Sequence, residues 1–312
     1  MSDERALVSA VITSYKRDKD TVGRAVKSIL SQTCPVIEIL IIDDNRGKGS
    51  ELFSKGLLEV KELSEKIQVI PTEGGHGAQY ARNTGIRHAK GKYIAFLDDD
   101  DEWLPEKVEK QVKCLMEHPE AGLCYSDGYR IDERTDPPIK GIIHGHNFVP
   151  NATYRELLHE DRIGTTSQAM IPVATFEKVG MFDTDMPARQ DYEMWLRISR
   201  SFPVIGIPEG LYQYHKAHDA GQITLNWRKN VEAHRLLYKK YREDIIKDRD
   251  ARFNVEFHIA HYMREGASQE KSLKIFICAL GHYVRSLFIS PQWFLIQGKY
   301  RLEHEKKKRF VN

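Results

Sequence analysis

The stretch YIAFLDDDD, residues 93–101, joins an apolar strand pattern to four consecutive carboxylates. Tyr93–Leu97 predicts a buried strand, and Glu102-Trp103-Leu104-Pro105 then opens a helix. Because packed carboxylates repel one another unless a cation neutralises them, the pattern favours a divalent ion with oxygen ligands. Such an ion can also bridge phosphate oxygens. The alternative, a solvated surface run of acids, is disfavoured by the apolar strand that precedes it.

Around this stretch, apolar runs alternate with helical patterns over the first 130 residues. Strands are predicted at Leu7–Thr13, Ile37–Ile42, Ile67–Ile70, Tyr93–Leu97 and from Leu123–Tyr125 onward. Alternating strands and helices predict an α/β fold with a mostly parallel sheet, in which ligands bind at the carboxyl ends of the strands. The polar residues directly after each strand are therefore the candidate site residues.

The composition narrows the class of protein. Of 312 residues, 41% are hydrophobic and 29% charged, which is typical of a globular protein, and the net charge of +2 gives no reason to expect a nucleic-acid partner. The amino terminus shows no secretory signal, no apolar run is long enough for a membrane span, and the four cysteines lack metal-site spacing. We therefore expect a cytoplasmic protein with reduced thiols.

Two further strand ends carry polar groups. Asp43-Asp44 follows the second strand, and Asp44 is predicted to face the crevice and accept hydrogen bonds from a base or ribose. An Asx turn with Asn45 and Gly47 is the alternative interpretation. The first strand ends in Thr13-Ser14-Tyr15-Lys16-Arg17, where a hydroxyl and a ring suit a nucleotide base. No dinucleotide fingerprint or P-loop is present, which disfavours both classes.

In order along the chain, these motifs resemble those of the family-2 glycosyltransferases of the GT-A fold. The segments that carry the resemblance are VITSYKR (11–17), IIDDN (41–45), GAQYARNTGI (77–86), GKYIAFL (91–97) and a DxD motif at Asp98-Asp99-Asp100. Each motif is weak alone, but their order and spacing are specific. The resemblance covers residues 6–225.

The resemblance implies a role for each matched position in binding a nucleotide-sugar donor. Donor-binding roles fall on Thr13, Tyr15, Asp44, Arg82, Asp98 and Asp99. Asp100 is expected to ligate Mn²⁺ or Mg²⁺ directly, while Asp98 or Asp99 touches the ribose. His218 matches a family histidine that completes the metal site or touches the diphosphate.

The segment Arg189–Arg197 resembles the acceptor-binding segment of the family, in which an acid opens a helix. The usual Glu-Asp pair is Gln190-Asp191 here, so Asp191 is the expected catalytic base. A carboxylate in the first turn of a helix is also what an ordinary helix start would use.

The resemblance implies an inverting transferase that moves a sugar, with a UDP-sugar favoured as donor, onto a hydroxyl of a saccharide or lipid-linked acceptor. The implied setting is bacterial cell-surface polysaccharide or glycoconjugate synthesis. Two alternatives remain. A sugar nucleotidyltransferase would need a glycine-rich basic loop after the first strand. A nucleotide-sugar-binding protein without activity is suggested only by Gln190.

The predicted domains are a catalytic domain over residues 1–225 and a helical region over 226–312. The first divides into a nucleotide-binding half (1–130) and an acceptor-binding half (131–225), with a loop at 131–150. An aromatic-rich face within residues 275–295 has two interpretations. It packs against the catalytic domain or a partner subunit of a homo-oligomer, or it lies on the inner face of the cell membrane, helped by the cluster Lys306–Arg309.

Overall fold

The computed structural model describes residues 8–46, 50–133, 137–216 and 226–295, which fall into two compact units. The first unit comprises Met1–Leu157, Asp161–Thr184 and Gln190–His218, and the second comprises Leu158–Glu160, Asp185–Arg189 and Asp219–Asn312. The predicted domain boundary after residue 225 borders a segment outside the described residues. The division predicted from the sequence therefore stays a prediction.

The first unit contains all of the strands and most of the shorter helices in the described part of the chain. The strands are β1 (Val8–Ser14), β2 (Glu38–Asp43), β3 (Ile67–Pro71), β4 (Tyr93–Asp98), β5 (Glu102–Trp103), β6 (Leu123–Asp132), β7 (Ile139–Ile142), β8 (Ala169–Pro172) and β9 (Val204–Lys216). Its helices are α1 (Lys19–Leu30), α2 (Glu51–Lys61), α3 (Ala78–His88), α4 (Lys107–Glu117), α6 (Val173–Val179) and α7 (Gln190–Ser201), together with most of α5 (Tyr154–His159), whose last two residues belong to the second unit.

One sheet organises this unit, in the order β3-β2-β1-β4-β8-β6-β9-β5, with β7 paired to β6. The strands β3, β2, β1 and β4 are mutually parallel, which confirms the α/β prediction for the first half of the chain. Beyond β4 the sheet is mixed, because β8 runs antiparallel to both β4 and β6. The five predicted strands correspond to β1, β2, β3, β4 and the start of β6.

Helices α1 and α3 fix the carboxyl edge of the parallel strands. Asp18 caps α1 by accepting hydrogen bonds from the Asp20 and Thr21 backbone N–H groups at 3.1 and 2.9 Å. A side chain at Gly85 of α3 would lie 2.4 Å from Val11 Cγ1, so the glycine allows α3 to pack directly on β1. Close packing of α3 brings its first turns to the ends of β1 and β4.

The loop predicted for residues 131–150 is wrong in part. β6 extends to Asp132 and forms a hairpin with β7, pairing Tyr129 with Ile142 and Asp132 with Ile139. A four-residue strand at the edge of a sheet gains its structure from its partner, and the surrounding prolines and glycines dominate the local sequence signal. The hairpin is held further by Asp127, whose carboxylate accepts the backbone N–H groups of His144 and Gly145.

The second unit is helical in its described part, as the sequence predicted for the carboxyl-terminal region. Its helices are α8 (Trp227–Lys240), α9 (Arg242–Lys247), α10 (Arg249–Gln269) and α11 (Leu273–Ile289). Val231, Ile259, Met263 and Ala279 form a small core among α8, α10 and α11. None of the helices that the structure describes has the length and apolar character needed to cross a membrane.

Candidate active site

The ends of β1, β2 and β4 bring the predicted donor residues to one edge of the sheet. Ser14 pairs with Asp43, and Thr13 pairs with Asp98 across the β1–β4 ladder. The Asp44 backbone N–H donates to the Ser14 carbonyl at 3.0 Å, which continues the β1–β2 pairing past the strand ends. The candidates Thr13, Asp44 and Asp98 are far apart in sequence but lie together at this edge, as expected for the carboxyl ends of parallel strands.

Two arginines neutralise three of the four consecutive acids. Arg82, buried on α3, donates to Asp98 Oδ1 at 2.8 Å. Arg17 donates from Nε to Asp99 Oδ1 at 3.1 Å and from Nη2 to Asp100 Oδ2 at 2.8 Å. The structure thus associates Arg82 with the acidic segment, and it adds Arg17, which the sequence did not single out as a site residue.

The fourth acid, Asp101, points into the protein and is completely buried. Its Oδ2 accepts the Ser167 hydroxyl at 2.6 Å, and its Oδ1 accepts the His215 backbone N–H at 3.3 Å. The Ser167 oxygen also accepts the Asp98 backbone N–H at 3.1 Å. Asp101 therefore anchors the acidic segment, while Asp98 and Asp100 keep about a third and a quarter of their side chains exposed.

Burial of the acids makes their ionised forms unfavourable. Desolvation raises the pKa of Asp99 to about 7, against the lowering effect of Arg17, and the negative charges of Asp100 and Asp98 raise it further. Desolvation also raises the pKa of Asp100, and it holds that of Asp101 well above the ordinary value. Crowded carboxylates that resist ionisation despite an arginine are a donor set that fits a divalent cation.

Asp44 is buried and already has partners within the protein. Its Oδ1 accepts the Thr72 hydroxyl at 2.5 Å, and its Oδ2 accepts the Gly77 backbone N–H at 3.3 Å, so it ties β2 to the start of α3. Thr72 directly follows β3. It would have been found from the sequence if the polar residue after that strand had been taken as a candidate, as was done for the other strands. The predicted contact of Asp44 with a nucleoside stays a prediction.

The Asx turn after β2 is present beside Asp44. Asp43 Oδ1 accepts both the backbone and the side-chain N–H of Asn45, at 2.9 and 2.8 Å. Asn45 Oδ1 in turn accepts the Lys16 backbone N–H at 2.5 Å, which holds Lys16 in a left-handed conformation (φ 53°). This geometry leaves the ring of Tyr15 half exposed just past β1. An exposed ring at this edge suits stacking on a base.

Asp191 lies in the first turn of α7, and this helix is linked to the acidic segment through one loop. Trp195, one turn later on the same side of the helix, donates its indole N–H to the Gly164 carbonyl at 2.9 Å. Two residues farther along that loop, the Thr166 hydroxyl donates to Asp98 Oδ1 at 3.3 Å. The loop thus contacts both α7 and the acidic segment, while the role of Asp191 as the catalytic base stays a prediction.

A charged cluster centred on His215 lies beside the acids, and its partners Glu102, Glu133 and Arg24 were not predicted from the sequence. His215 is buried; its Nδ1 lies 2.6 Å from Glu133 Oε1, and its Nε2 lies 2.8 Å from Glu102 Oε1 without hydrogen-bond alignment. Arg24 contacts Glu133 at 3.2 Å and donates to the Asp100 carbonyl at 3.0 Å. The cluster fixes the end of β9, close to Asp101. His218, three residues on, lies outside the described residues.

Comparison with known proteins adds a family assignment to this geometry. A family model described as glycosyl transferase family 2 matches residues 9–180. The putative teichuronic acid biosynthesis glycosyltransferase TuaG of Bacillus subtilis (strain 168) is 30% identical over 223 residues, which cover 70% of this chain and 83% of TuaG.

Solved structures of two other proteins share the fold. The S. aureus TarS structure (residues 1–349) in complex with UDP-GlcNAc matches with a TM-score of 0.62 at 14% identity, covering 89% of this chain and 81% of that one. The mannosyltransferase PcManGT from Pyrobaculum calidifontis, in complex with GDP-Man and Mn²⁺, matches with a TM-score of 0.58 at 16% identity, covering 95% and 85%. The GT-A fold implied by the sequence motifs is confirmed.

Proposed function

Because the chain belongs to glycosyl transferase family 2, we propose that it transfers a sugar from a UDP-sugar to an acceptor hydroxyl with inversion at the anomeric carbon. One observation carries this proposal. Arg82, Arg17 and the acids Asp98, Asp99 and Asp100 meet at the carboxyl edge of the parallel strands, where an α/β sheet binds its ligand. Alternating positive and negative groups there suit a diphosphate with its counter-ion.

The nucleoside would lie against the ends of β1 and β2. Tyr15 offers an exposed ring for stacking, and Thr13, half-buried at the end of β1, offers a hydroxyl. Asp44 would accept the imide N–H of uracil in addition to its hydrogen bond from the Thr72 hydroxyl. The fold that this chain shares with TarS, which was solved with UDP-GlcNAc, supports a UDP-sugar as donor.

We propose that Asp100 ligates Mn²⁺ or Mg²⁺, and that Asp98 and Asp99 contact the donor beside it. A bound cation would neutralise charge on the diphosphate leaving group. Burial disfavours the ionised forms of Asp99 and Asp100, and a cation beside them would offset their negative charge. PcManGT, which shares the fold, was solved with Mn²⁺. Arg82 would offset the remaining charge on the diphosphate, and His218 is proposed to complete the site.

The acceptor half would supply the base. A sugar hydroxyl is a poor nucleophile, so a carboxylate must take its proton as the oxygen attacks. In the proposed step, the acceptor oxygen bonds to the anomeric carbon while the bond from that carbon to the diphosphate oxygen breaks. The proton passes to Asp191. A single in-line displacement of this kind inverts the anomeric configuration.

The acceptor is proposed to be a saccharide or a lipid-linked saccharide in cell-surface polysaccharide or glycoconjugate synthesis. The basis is TuaG, whose name places it in teichuronic acid biosynthesis and which this chain resembles over most of its length.

The test is a donor-consumption assay with a panel of UDP-sugars, saccharide acceptors and Mn²⁺ or Mg²⁺. Removing a general base lowers turnover by about 100-fold or more, so Asp191→Asn should lose kcat while retaining the donor KM. Asp100→Asn should lose both activity and the dependence on added metal. Glu177→Gln removes an exposed carboxylate from α6 and is the matched control.

Undiminished turnover in both aspartate variants would defeat the mechanism. Binding of UDP and Mn²⁺ with no transfer to any acceptor would favour a binding protein without activity. Release of pyrophosphate from a nucleoside triphosphate and a sugar phosphate would favour a nucleotidyltransferase.

A further inference from the structure

Helix α11 turns its large apolar side chains to the solvent. Leu273, Ile277, Leu280 and Val284 are all exposed and lie along one line of the helix. Phe276, Leu287 and Phe288 flank that line and are exposed as well. At 3.6 residues per turn these seven positions fill an arc of about 120°, which is one continuous side of a helix. We refer to these seven residues as the α11 apolar face.

The opposite side of α11 is the one that packs. Ala279 and Ser286 are buried there, and His282 Nδ1 lies 2.6 Å from Glu256 Oε2 on α10. A helix on the surface of a globular protein usually buries its large apolar residues and exposes the small and polar ones. On α11 the large apolar residues are exposed, while the small residues Ala279 and Ser286 are buried. The α11 apolar face is therefore available to a binding partner.

Positive charge is concentrated around this face. Lys274 and Arg285 lie on α11 along one border of the apolar arc. From residue 273 to the end, the sequence has eight lysines and arginines against two glutamates, including the cluster Lys306–Arg309. The rest of the chain has 39 basic and 43 acidic residues. The excess of positive charge in this protein therefore belongs to α11 and the segment that follows it.

The junction of α10 and α11 adds a cavity at the amino-terminal end of the same face. Its volume is about 790 Å³, and its lining includes Leu273 and Phe276 together with Arg264 and Lys271. The lining also includes Glu265 and several uncharged polar residues, so the cavity adds a mixed polar and apolar recess beside the face, and the inference depends on the face itself.

From the apolar face and its charge we infer that α11 lies in the interface of an anionic membrane, with Lys274 and Arg285 at the headgroups. An amphipathic helix with a basic border binds such a surface by burying its apolar side and attracting the headgroup charge. A second copy of the chain is a poorer occupant, because a shared interface would bring two basic borders together. The inference rests on the second unit alone and holds whether or not the proposed transfer activity does.

The experiment is co-sedimentation of the full chain with vesicles of phosphatidylcholine, alone or mixed with phosphatidylglycerol. Leu280→Glu/Phe288→Glu places two charges in the apolar face and should weaken binding to the anionic vesicles by about 10-fold or more. Lys274→Glu/Arg285→Glu should weaken binding to the anionic vesicles only, and added salt should weaken that of the wild type. Leu52→Glu alters a residue of α2 that is 75% exposed and serves as control.

Two results would overturn the inference: no binding of the wild type to anionic vesicles, or equal binding by Leu280→Glu/Phe288→Glu. Sedimentation velocity without vesicles tests the other occupant. A wild-type dimer that this double variant dissociates would make the face an interface between two copies. Donor consumption with a soluble acceptor should be unchanged in all of these variants, so a failure of the proposed activity is recognised separately.

Discussion

Replacing Asp99 by asparagine should stabilise the protein in the absence of metal, although Asp99 belongs to the proposed donor site. Burial raises the pKa of this carboxyl from 3.8 to about 7, so above pH 7 the folded state holds an ionised group in a poor environment. At about 1.4 kcal/mol per pKa unit, this lowers the free energy of unfolding by about 4 kcal/mol. Asparagine keeps the size of the side chain and removes that charge, while Arg17 keeps Asp100 as its partner.

The sign of the pH dependence follows from the direction of the pKa change. A carboxyl whose pKa is higher in the folded state binds its proton more tightly there. Its stabilising contribution is therefore complete below pH 3.8 and is lost as the pH rises through about 7. The advantage of Asp99→Asn over the wild type should consequently be about 3 kcal/mol larger at pH 8 than at pH 5.

Urea unfolding in EDTA at both pH values measures this difference. Glu65→Gln removes an exposed carboxylate and should change the free energy of unfolding by less than about 0.5 kcal/mol at either pH. If Asp99→Asn and the wild type lost stability in parallel, or if the variant were the less stable protein at pH 8, the reasoning would be refuted. Either outcome would mean that the attraction of Arg17 outweighs the burial of Asp99.

Three other changes have defined outcomes. Gly85→Ala should lower the free energy of unfolding by about 1–3 kcal/mol, because the new Cβ would lie 2.4 Å from Val11 Cγ1. Gly23→Ala in α1 has open space around the new Cβ and should raise the free energy of unfolding by up to about 1 kcal/mol. Urea unfolding measures both changes, and a loss of stability in both variants would contradict the packing argument. Ser167→Ala should destabilise by about 1–3 kcal/mol, also read from urea unfolding, because buried Asp101 loses its hydroxyl donor, and an unchanged stability would exclude that anchoring role. UDP with Mn²⁺ at 100 times its Kd should stabilise the wild type by about 2.7 kcal/mol, seen as a higher Tm, and a Tm that does not move would argue against the donor site.

The parallel half of the sheet and its ligand edge could be predicted from the sequence because both depend on local pattern. Apolar runs such as Tyr93–Leu97 mark buried strands, and the polar residues after them must lie at one edge once the strands are parallel. The rule places both Thr13 and Asp98 at this edge, whereas their direct pairing depends on β1 lying beside β4, which local pattern does not determine.

What the sequence could not supply depends on contacts between distant residues. Asp98 and Asp101 are chemically identical, and their opposite orientations are set by Ser167 and His215, which lie 66 and 114 residues beyond Asp101. Arg17 could have been counted among basic residues near the site, but its contact with the acids depends on the bend at Lys16. The exposure of the α11 apolar face was equally hidden, because an apolar helical stripe has the same pattern whether it is buried or exposed.

Strand β4 is hydrogen-bonded on one side to β1 and on the other to β8. The parallel strands on one side of β4 and the mixed strands on the other side therefore belong to one continuous hydrogen-bonded sheet. Parting them would break the ladder between β4 and β8. If the chain transfers a sugar as proposed, we expect any opening of the site for donor and product to come from the connections that follow the strands, and not from a separation of the two parts of the sheet.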